Sequence, residues 1–427
     1  MPDAKTAEAA GDALVELRIE SLGARGDGIA HDDDGVLYIP YGVPGDQVEA
    51  TITGRRGDAR LARLDRVLRP GPDRAAPPCP HFGTCGGCAV QHLNTGAYRR
   101  WKLDILHQAM QRRSLDDGTI QELITVPPAS RRRARFAARR TRNGVQLGFN
   151  IPGSHTIVNL TACHVLRPAI VNLLDDLRAL LFDLLEVGRR ADVQVTETET
   201  GLDLWLVADI PHRSQIDMRL ADFAQAADLA RLSTGARPEV ALQRRLPRVT
   251  LTGVAVTPPP DGFLQASLAG EQALVGLVRE GVGQAAKVAD LFAGVGTFSF
   301  ALASGAEVLA VEGAADQIQA LIAARNAARR SKIEAHARDL ERRPMSVDEL
   351  APFGAVIFDP PRAGANHQAA ALAGSVVPTV VAVSCNPATF TRDALTLVQG
   401  GYRLLSVTPV DQFPWSRHLE LVACFQR

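Results

Sequence analysis

Apolar and polar residues alternate in short runs at the start of the chain. Leu14-Val15-Glu16-Leu17-Arg18-Ile19, Val36-Leu37-Tyr38-Ile39 and Gln47-Val48-Glu49-Ala50-Thr51-Ile52 have the two-residue period of half-buried strands, and glycine-rich turns such as Gly23-Ala24-Arg25-Gly26-Asp27-Gly28 separate them. This pattern predicts a small antiparallel β-barrel from about Ala13 to Leu68. Pro70, Pro72, Pro77, Pro78 and Pro80 end it in a linker. From Val90 to Val256 the pattern is mixed. Helices are expected near Ala97 to Arg112 and Pro168 to Leu185, and strands near Arg133 to Phe149 and Asp192 to Ala208, without a readable topology. After Pro258-Pro259-Pro260 strand and helix patterns alternate regularly, which predicts a mostly parallel, doubly wound sheet. The expected organisation is therefore a barrel over 11–70, a mixed α+β region over 71–257 and an α/β domain over 258–427.

The chain has 427 residues, 46% of them hydrophobic, enough for the cores of two or three domains. Its 47 basic residues balance 47 acidic ones, so overall charge gives no argument for a nucleic-acid partner, and any such surface must be local. The densest basic patch is Arg131-Arg132-Arg133-Ala134-Arg135 with Arg139, Arg140 and Arg142. It is a candidate for gripping phosphates, with a solvated strand face as the competing reading. Phe136 and Tyr98 are candidates for stacking on unpaired bases, although single aromatics are more often core residues. The first twelve residues lack a signal-peptide pattern, and the most apolar stretch, Val171 to Val187, is interrupted by Asp175, Asp176, Arg178, Asp183 and Glu186. A soluble cytoplasmic protein without a membrane or an obligate protein partner is expected.

The chemistry concentrates at strand ends of the last region. Lys287-Val288-Ala289-Asp290-Leu291 runs into the turn Phe292-Ala293-Gly294-Val295-Gly296 before a helical pattern near Thr297. Glu312 ends the next strand, about twenty residues after Asp290, the position from which an acid reaches nucleoside ribose hydroxyls. Asp339 is a candidate for a third such strand end, a surface position being the alternative. The strand Ala355-Val356-Ile357-Phe358 leads into Asp359-Pro360-Pro361-Arg362, a stiff loop with no backbone donors at its prolines. Thr379-Val380-Val381-Ala382-Val383 leads into Ser384-Cys385-Asn386-Pro387. A cysteine after such a strand is usually a small core residue, but at a strand end ahead of a helix it is favoured as a nucleophile, with the helix N-terminus expected to promote a thiolate. Glu420, in His418-Leu419-Glu420-Leu421, is the candidate base, and spacing leaves an exposed strand carboxylate as the alternative.

Of the six cysteines, Cys79, Cys85 and Cys88 crowd into Cys79-Pro80-His81-Phe82-Gly83-Thr84-Cys85-Gly86-Gly87-Cys88. Clustered thiols in so long a chain favour metal or cluster binding over disulfides. With Cys385 set aside, Cys163 is the candidate fourth ligand, Cys424 falling in an apolar C-terminal strand. Four thiolates fit zinc or an iron-sulfur cluster alike.

These segments together resemble the RNA uracil-C5 methyltransferase family, specifically its cluster-containing bacterial members that act on 23S ribosomal RNA. The resemblance covers nearly the whole chain and is most specific at Asp359-Pro360-Pro361-Arg362 and Ser384-Cys385-Asn386-Pro387. It implies an OB-like TRAM barrel that binds RNA, a central region carrying a [4Fe-4S] cluster on Cys79, Cys85, Cys88 and Cys163, and a Rossmann-like class I methyltransferase domain. Cys385 would be the nucleophile and Glu420 the proton acceptor, with Gln265, Phe292, Glu312 and Asp359 lining the S-adenosylmethionine site. The chain departs from the family pattern at Ser267, usually Asn, and at Thr297, Asn in some members. The same chemistry on transfer RNA or at another ribosomal position, an amino-nitrogen methyltransferase built on Asp359-Pro360-Pro361, and an RNA-binding protein without catalysis are the competing readings.

Overall fold

The computed structural model describes residues 13–210 and 214–427. The stretch read for a signal peptide, 1–12, lies outside the described residues. The chain divides into two compact units, one formed by the described residues up to Ile105 with Trp415–Arg417, the other by Leu106–Pro414 with His418–Arg427.

In the first unit β1 (Leu14–Arg18), β2 (Ser21–Leu22), β3 (Gly28–Asp32), β4 (Gly35–Ile39), β5 (Gln47–Arg56) and β6 (Ala59–Arg69) form one six-stranded sheet in the order β1-β5-β6-β4-β3-β2. Its pairs are antiparallel except β4 with β6. The two-residue period turns Val48, Ala50 and Ile52 of β5 inward, onto Ile19, Ala30, Leu37, Ile39 and Ala62. Past the cysteine loop the chain enters α1 (Thr95–Gln111). Tyr98 does not present a free face for a base: it is buried in a cluster with Val43, Val90, Leu93, Ala97 and Trp101, and its hydroxyl oxygen accepts the Trp415 N–H at 3.0 Å.

The second unit holds two large sheets. Besides β7 (Ile124–Thr125), it contains β8 (Arg133–Thr141), β9 (Gly144–Gly148), α2 (Pro168–Asn172), α3 (Leu174–Leu184), β10 (Arg190–Thr198), β11 (Gly201–Val207), α4 (Ser214–Ala226), β12 (Leu229–Thr234) and β13 (Glu239–Gln243). The six strands β8 to β13 make a sheet ordered β13-β12-β11-β10-β8-β9. On α3, Leu174, Leu177, Leu181 and Leu184 recur at helical spacing and are buried. Phe136, expected as a possible stacking platform, is fully buried on β8 with its ring 5.3 Å from that of Phe149.

A hairpin, β14 (Val249–Leu251) and β15 (Val254–Val256), precedes the α/β part. There α5 (Leu268–Val282), β16 (Lys287–Leu291), α6 (Thr297–Leu302), β17 (Glu307–Glu312), α7 (Ala315–Ala327), β18 (Ile333–Ala337), α8 (Val347–Leu350), β19 (Ala355–Phe358), α9 (Asn366–Ala373), β20 (Thr379–Ser384), α10 (Pro387–Gln399), β21 (Arg403–Asp411) and β22 (Glu420–Gln426) follow in sequence. The eight-stranded sheet runs β18-β17-β16-β19-β20-β22-β21-β7. From β18 to β20 it is parallel, as the alternation predicts. Beyond β20 it is mixed, because β21 and β22 form a hairpin whose second strand inserts antiparallel against β20. Connecting these two strands needs only a short loop, whereas another parallel step would need a crossover helix.

Candidate active site

Every chemically interesting strand end of the α/β part emerges on one side of the sheet. Leu291 pairs with Val311 on one flank and with Phe358 on the other, so Phe292, Glu312 and Asp359 leave neighbouring strands side by side. Phe292 has φ +62°, followed by Gly294 at +56° and Gly296 at +98°. This turn carries the chain directly into α6. A side chain at Gly296 would meet Phe300 and Leu321 at 2.8 and 3.0 Å, so glycine is required both for conformation and for space. Glu312 holds the turn: its two carboxylate oxygens accept the N–H groups of Gly294 and Ala314, each at 2.8 Å. Each oxygen keeps a lone pair for a hydroxyl donor. Below the turn, fully buried Asp290 accepts the Ser299 hydroxyl at 2.5 Å through Oδ2, while Oδ1 has no hydrogen-bond partner among the described residues. Burial pushes its pKa up to about 7.

Cys385 and Glu420 are brought together by register. Ser384 pairs with Leu421 across β20 and β22, which sets Cys385 beside Glu420 one step further along. Glu420 is only 4% exposed, so it is not the solvated strand carboxylate that spacing left open. Burial raises its pKa to about 7 against the opposing influence of a Gln412 hydrogen bond and the Arg362 charge. Asp359 is raised well above the usual carboxylate range by burial and by the charges of Glu420 and Asp290. The expectation of a resting Cys385 thiolate is corrected. Although Cys385 sits two residues ahead of α10, burial and the negative charges of Glu420 and Asp359 outweigh the helix end and hold the thiol at about 11.

The two motif loops are tied to each other. The Arg362 carbonyl accepts hydrogen bonds from Asn386 Nδ2 at 3.1 Å and Thr389 Oγ1 at 3.3 Å, and the Arg362 guanidinium lies 3.4 Å from His418 Nε2. Gln265 faces the same region, its Nε2 donating to Asp359 Oδ2 at 3.4 Å. Ser267 is the N-cap of α5, accepting the Gly270 N–H, a role Asn fills equally well, while Thr297 is the first residue of α6. Asp339 does not join the site: it is exposed and accepts the N–H groups of Glu341 and Arg342 in a turn after β18.

Sequence reading missed Gln412, which is 1% exposed and hydrogen-bonded to Gln265 and to the Ala266 N–H. It also missed the buried pair Arg132–Glu271 at 2.6 Å, in which Arg132 further donates to the Gln265 carbonyl. Neither has a local spacing signal. The basic patch is accordingly divided. Arg132 and Arg140 are internal, Arg140 lying over the Phe182 ring at 3.4 Å, while Arg135, Arg139 and Arg142 are exposed.

Of the sulfur candidates, Cys79, Cys85 and Cys88 belong to the first unit and Cys163 to the second, and none of the four is in a disulfide. In the loop the His81 carbonyl accepts the Thr84 and Cys85 N–H groups, and the Gly87 N–H points to Cys85 Sγ at 3.4 Å. Such an N–H···S contact suits a charged sulfur. Among the described residues, no three His, Cys, Asp or Glu side chains are gathered as a metal-holding group. No helix there is long and apolar enough to cross a membrane.

Comparison with known proteins agrees with this geometry. Residues 260–427 match the tRNA (uracil-5-)-methyltransferase family model. An uncharacterized RNA methyltransferase of Mesorhizobium japonicum is 43% identical over 97% of this chain and 98% of its own length. The 23S rRNA (uracil(1939)-C(5))-methyltransferase RlmD of Halomonas elongata is 35% identical over 95% of this chain and 88% of its own. The tRNA (uracil-54, C5)-methyltransferase of Pyrococcus abyssi, crystallised with S-adenosyl-L-homocysteine, superposes with a TM-score of 0.76 at 23% identity, covering 96% of this chain and 99% of that one.

Proposed function

Because the chain belongs to the RNA uracil-5 methyltransferase family, we propose that it methylates carbon 5 of a uridine in 23S ribosomal RNA with S-adenosylmethionine as methyl donor. The observation that carries this is the placement of Cys385 beside buried Glu420 by the β20–β22 register. Carbon 5 of uracil is too poor a nucleophile to attack a methyl sulfonium unaided. Addition of Cys385 Sγ to carbon 6, with loss of the thiol proton to solvent, converts the ring to an enolate whose carbon 5 takes the methyl group. S-adenosylmethionine supplies that methyl and leaves as the uncharged thioether. Glu420 then removes the hydrogen from carbon 5, the 5,6 double bond re-forms, and the Cys385 thiolate is expelled. A base held near pH 7 is matched to this last step.

Gln265, Phe292, Glu312 and Asp359 line the donor side, with Glu312 offering its free lone pairs to ribose hydroxyls. The region 11–70 serves as a TRAM-type RNA-binding barrel, 71–257 as the cluster-bearing region and 258–427 as the methyltransferase domain. Cys79, Cys85 and Cys88, with Cys163 as the candidate fourth ligand, would supply thiolates to a [4Fe-4S] cluster, and the Gly87 contact to Cys85 sulfur suits a charged ligand there.

The reading is tested by incubating the protein with labelled S-adenosylmethionine and unmodified 23S ribosomal RNA or transfer RNA, followed by nucleoside analysis. Label in 5-methyluridine of the ribosomal RNA is expected, with activity abolished in Cys385→Ala and a covalent protein–RNA band retained by Glu420→Gln. Label on an amino nitrogen, or an active Cys385→Ala, overturns it; label in transfer RNA alone moves the target.

A further inference from the structure

The two ends of a glutamine amide are nearly equal in size, one accepting and one donating, so packing alone does not decide which way the group points. At Gln412, the residue after β21, a backbone group decides. Gln412 is 1% exposed, and the atom facing the Ala266 N–H at 3.1 Å is the oxygen, because a backbone N–H only donates. Nε2 therefore carries the hydrogens, and it donates to Gln265 Oε1 at 2.7 Å. That contact orients the second amide in turn. With its oxygen engaged by Gln412, Gln265 presents Nε2 to Asp359 Oδ2 at 3.4 Å. The backbone here is held separately: Arg132 donates through Nε to the Gln265 carbonyl at 3.0 Å and through its N–H to the Ala266 carbonyl at 2.9 Å. The room for the Gln412 amide comes from α5, where a Cβ at Gly270 would lie 2.7 Å from Gln412 Oε1 and 2.8 Å from its Cβ.

We propose that Gln412 is a positioning residue of the methyl-donor pocket, fixing the Gln265 amide with its donating end toward Asp359 and so setting the polar wall that S-adenosylmethionine meets. The inference rests on the reading of Gln265 and Asp359 as lining the donor site. Arg132 acts on the backbone of residues 265 and 266, which leaves the direction of the Gln265 side chain to Gln412. A wall made of one amide and one carboxylate keeps its order of donor and acceptor only while the amide cannot turn over. Turned, Gln265 would set its oxygen against the Asp359 carboxylate, two acceptors without a hydrogen between them.

The test measures S-adenosylhomocysteine affinity by calorimetry and RNA affinity by filter binding, for wild type, Gln412→Met, Gln412→Glu and Gln265→Ala, at pH 6 and pH 9. Gln412→Met removes both ends of the amide at similar volume. It is expected to weaken S-adenosylhomocysteine roughly tenfold at both pH values while RNA affinity stays at the wild-type level. Gln412→Glu keeps an acceptor for the Ala266 N–H and has a hydrogen for Gln265 only while its carboxyl is protonated. It is expected to bind S-adenosylhomocysteine close to wild type at pH 6 and roughly tenfold more weakly at pH 9. The ionisable groups around position 412 are Asp411 beside it, Glu420 opposite Val410 across β21 and β22, Asp359 beyond Gln265, and the Arg132–Glu271 pair behind the 265–266 backbone. All are present in wild type too, so each variant is read against wild type at the same pH. A merely structural role would weaken both ligands together, with no recovery of Gln412→Glu at the lower pH. Such a uniform loss, absence of that recovery, or wild-type S-adenosylhomocysteine affinity in Gln412→Met overturns the inference. If Gln265→Ala also binds S-adenosylhomocysteine as wild type does, the reading of Gln265 as lining the donor site has failed, and the inference with it.

Discussion

Cys385 at about 11 and Glu420 at about 7 describe a site in which burial opposes the ionised form of both groups, and the charge of Glu420 adds to the cost at Cys385. Two outcomes follow at this scale. Alkylation of Cys385 by iodoacetamide, located by peptide mass spectrometry, is expected to rise about tenfold per pH unit from pH 7 to 9, since the thiolate fraction does so below a pKa of about 11; a plateau near pH 8 would mean that the helix end dominates. Glu420 also affects folding. A carboxyl whose folded pKa is raised contributes stability below its ordinary value, and that contribution is lost as pH rises through about 7. Glu420→Gln is therefore expected to gain about 3 kcal/mol relative to wild type between pH 4 and 8.5 in urea unfolding.

Among the elements, the glycine turn between β16 and α6 is the most exacting. Gly296→Ala combines a positive φ with overlap against Phe300 and Leu321 and is expected to cost about 2–4 kcal/mol in thermal unfolding and to weaken S-adenosylhomocysteine binding in calorimetry. This turn was legible in the sequence, as were β16, β17, β19 and β20, because short apolar runs ending in Gly, Glu, Asp-Pro-Pro or Ser-Cys-Asn are local signals. The antiparallel insertion of β22 was not, since a strand's apolar pattern does not state its direction. Nor were the Gln412 and Arg132 contacts: Gln412 meets Gln265 across 147 positions and Arg132 meets Glu271 across 139. Polar residues that satisfy one another over such separations look like surface residues in the sequence, and the same ambiguity made Phe136 and Tyr98 look available for bases.

For the molecule as a whole, equal numbers of acidic and basic residues mean that RNA must be gripped by a local set of cations. Replacing Arg139 and Arg142 together by Gln is expected to lower the slope of log affinity against log salt by roughly two and to leave the melting temperature unchanged. Arg132→Gln is expected to lower the melting temperature, because it leaves Glu271 buried without its partner. A filter-binding salt titration with a parallel melting curve separates the two classes.

The close approach of Gly270 to Gln412 also bears on how such chains diverge. A methyl group at position 270 has no room beside the Cβ and amide of Gln412, so the constraint falls on the glycine rather than on the glutamine. Shortening the side chain at 412 removes the amide but leaves its Cβ in the way, so position 412 can vary while 270 stays glycine, and alanine at 270 should be found only where 412 has itself become glycine or the backbone has moved apart.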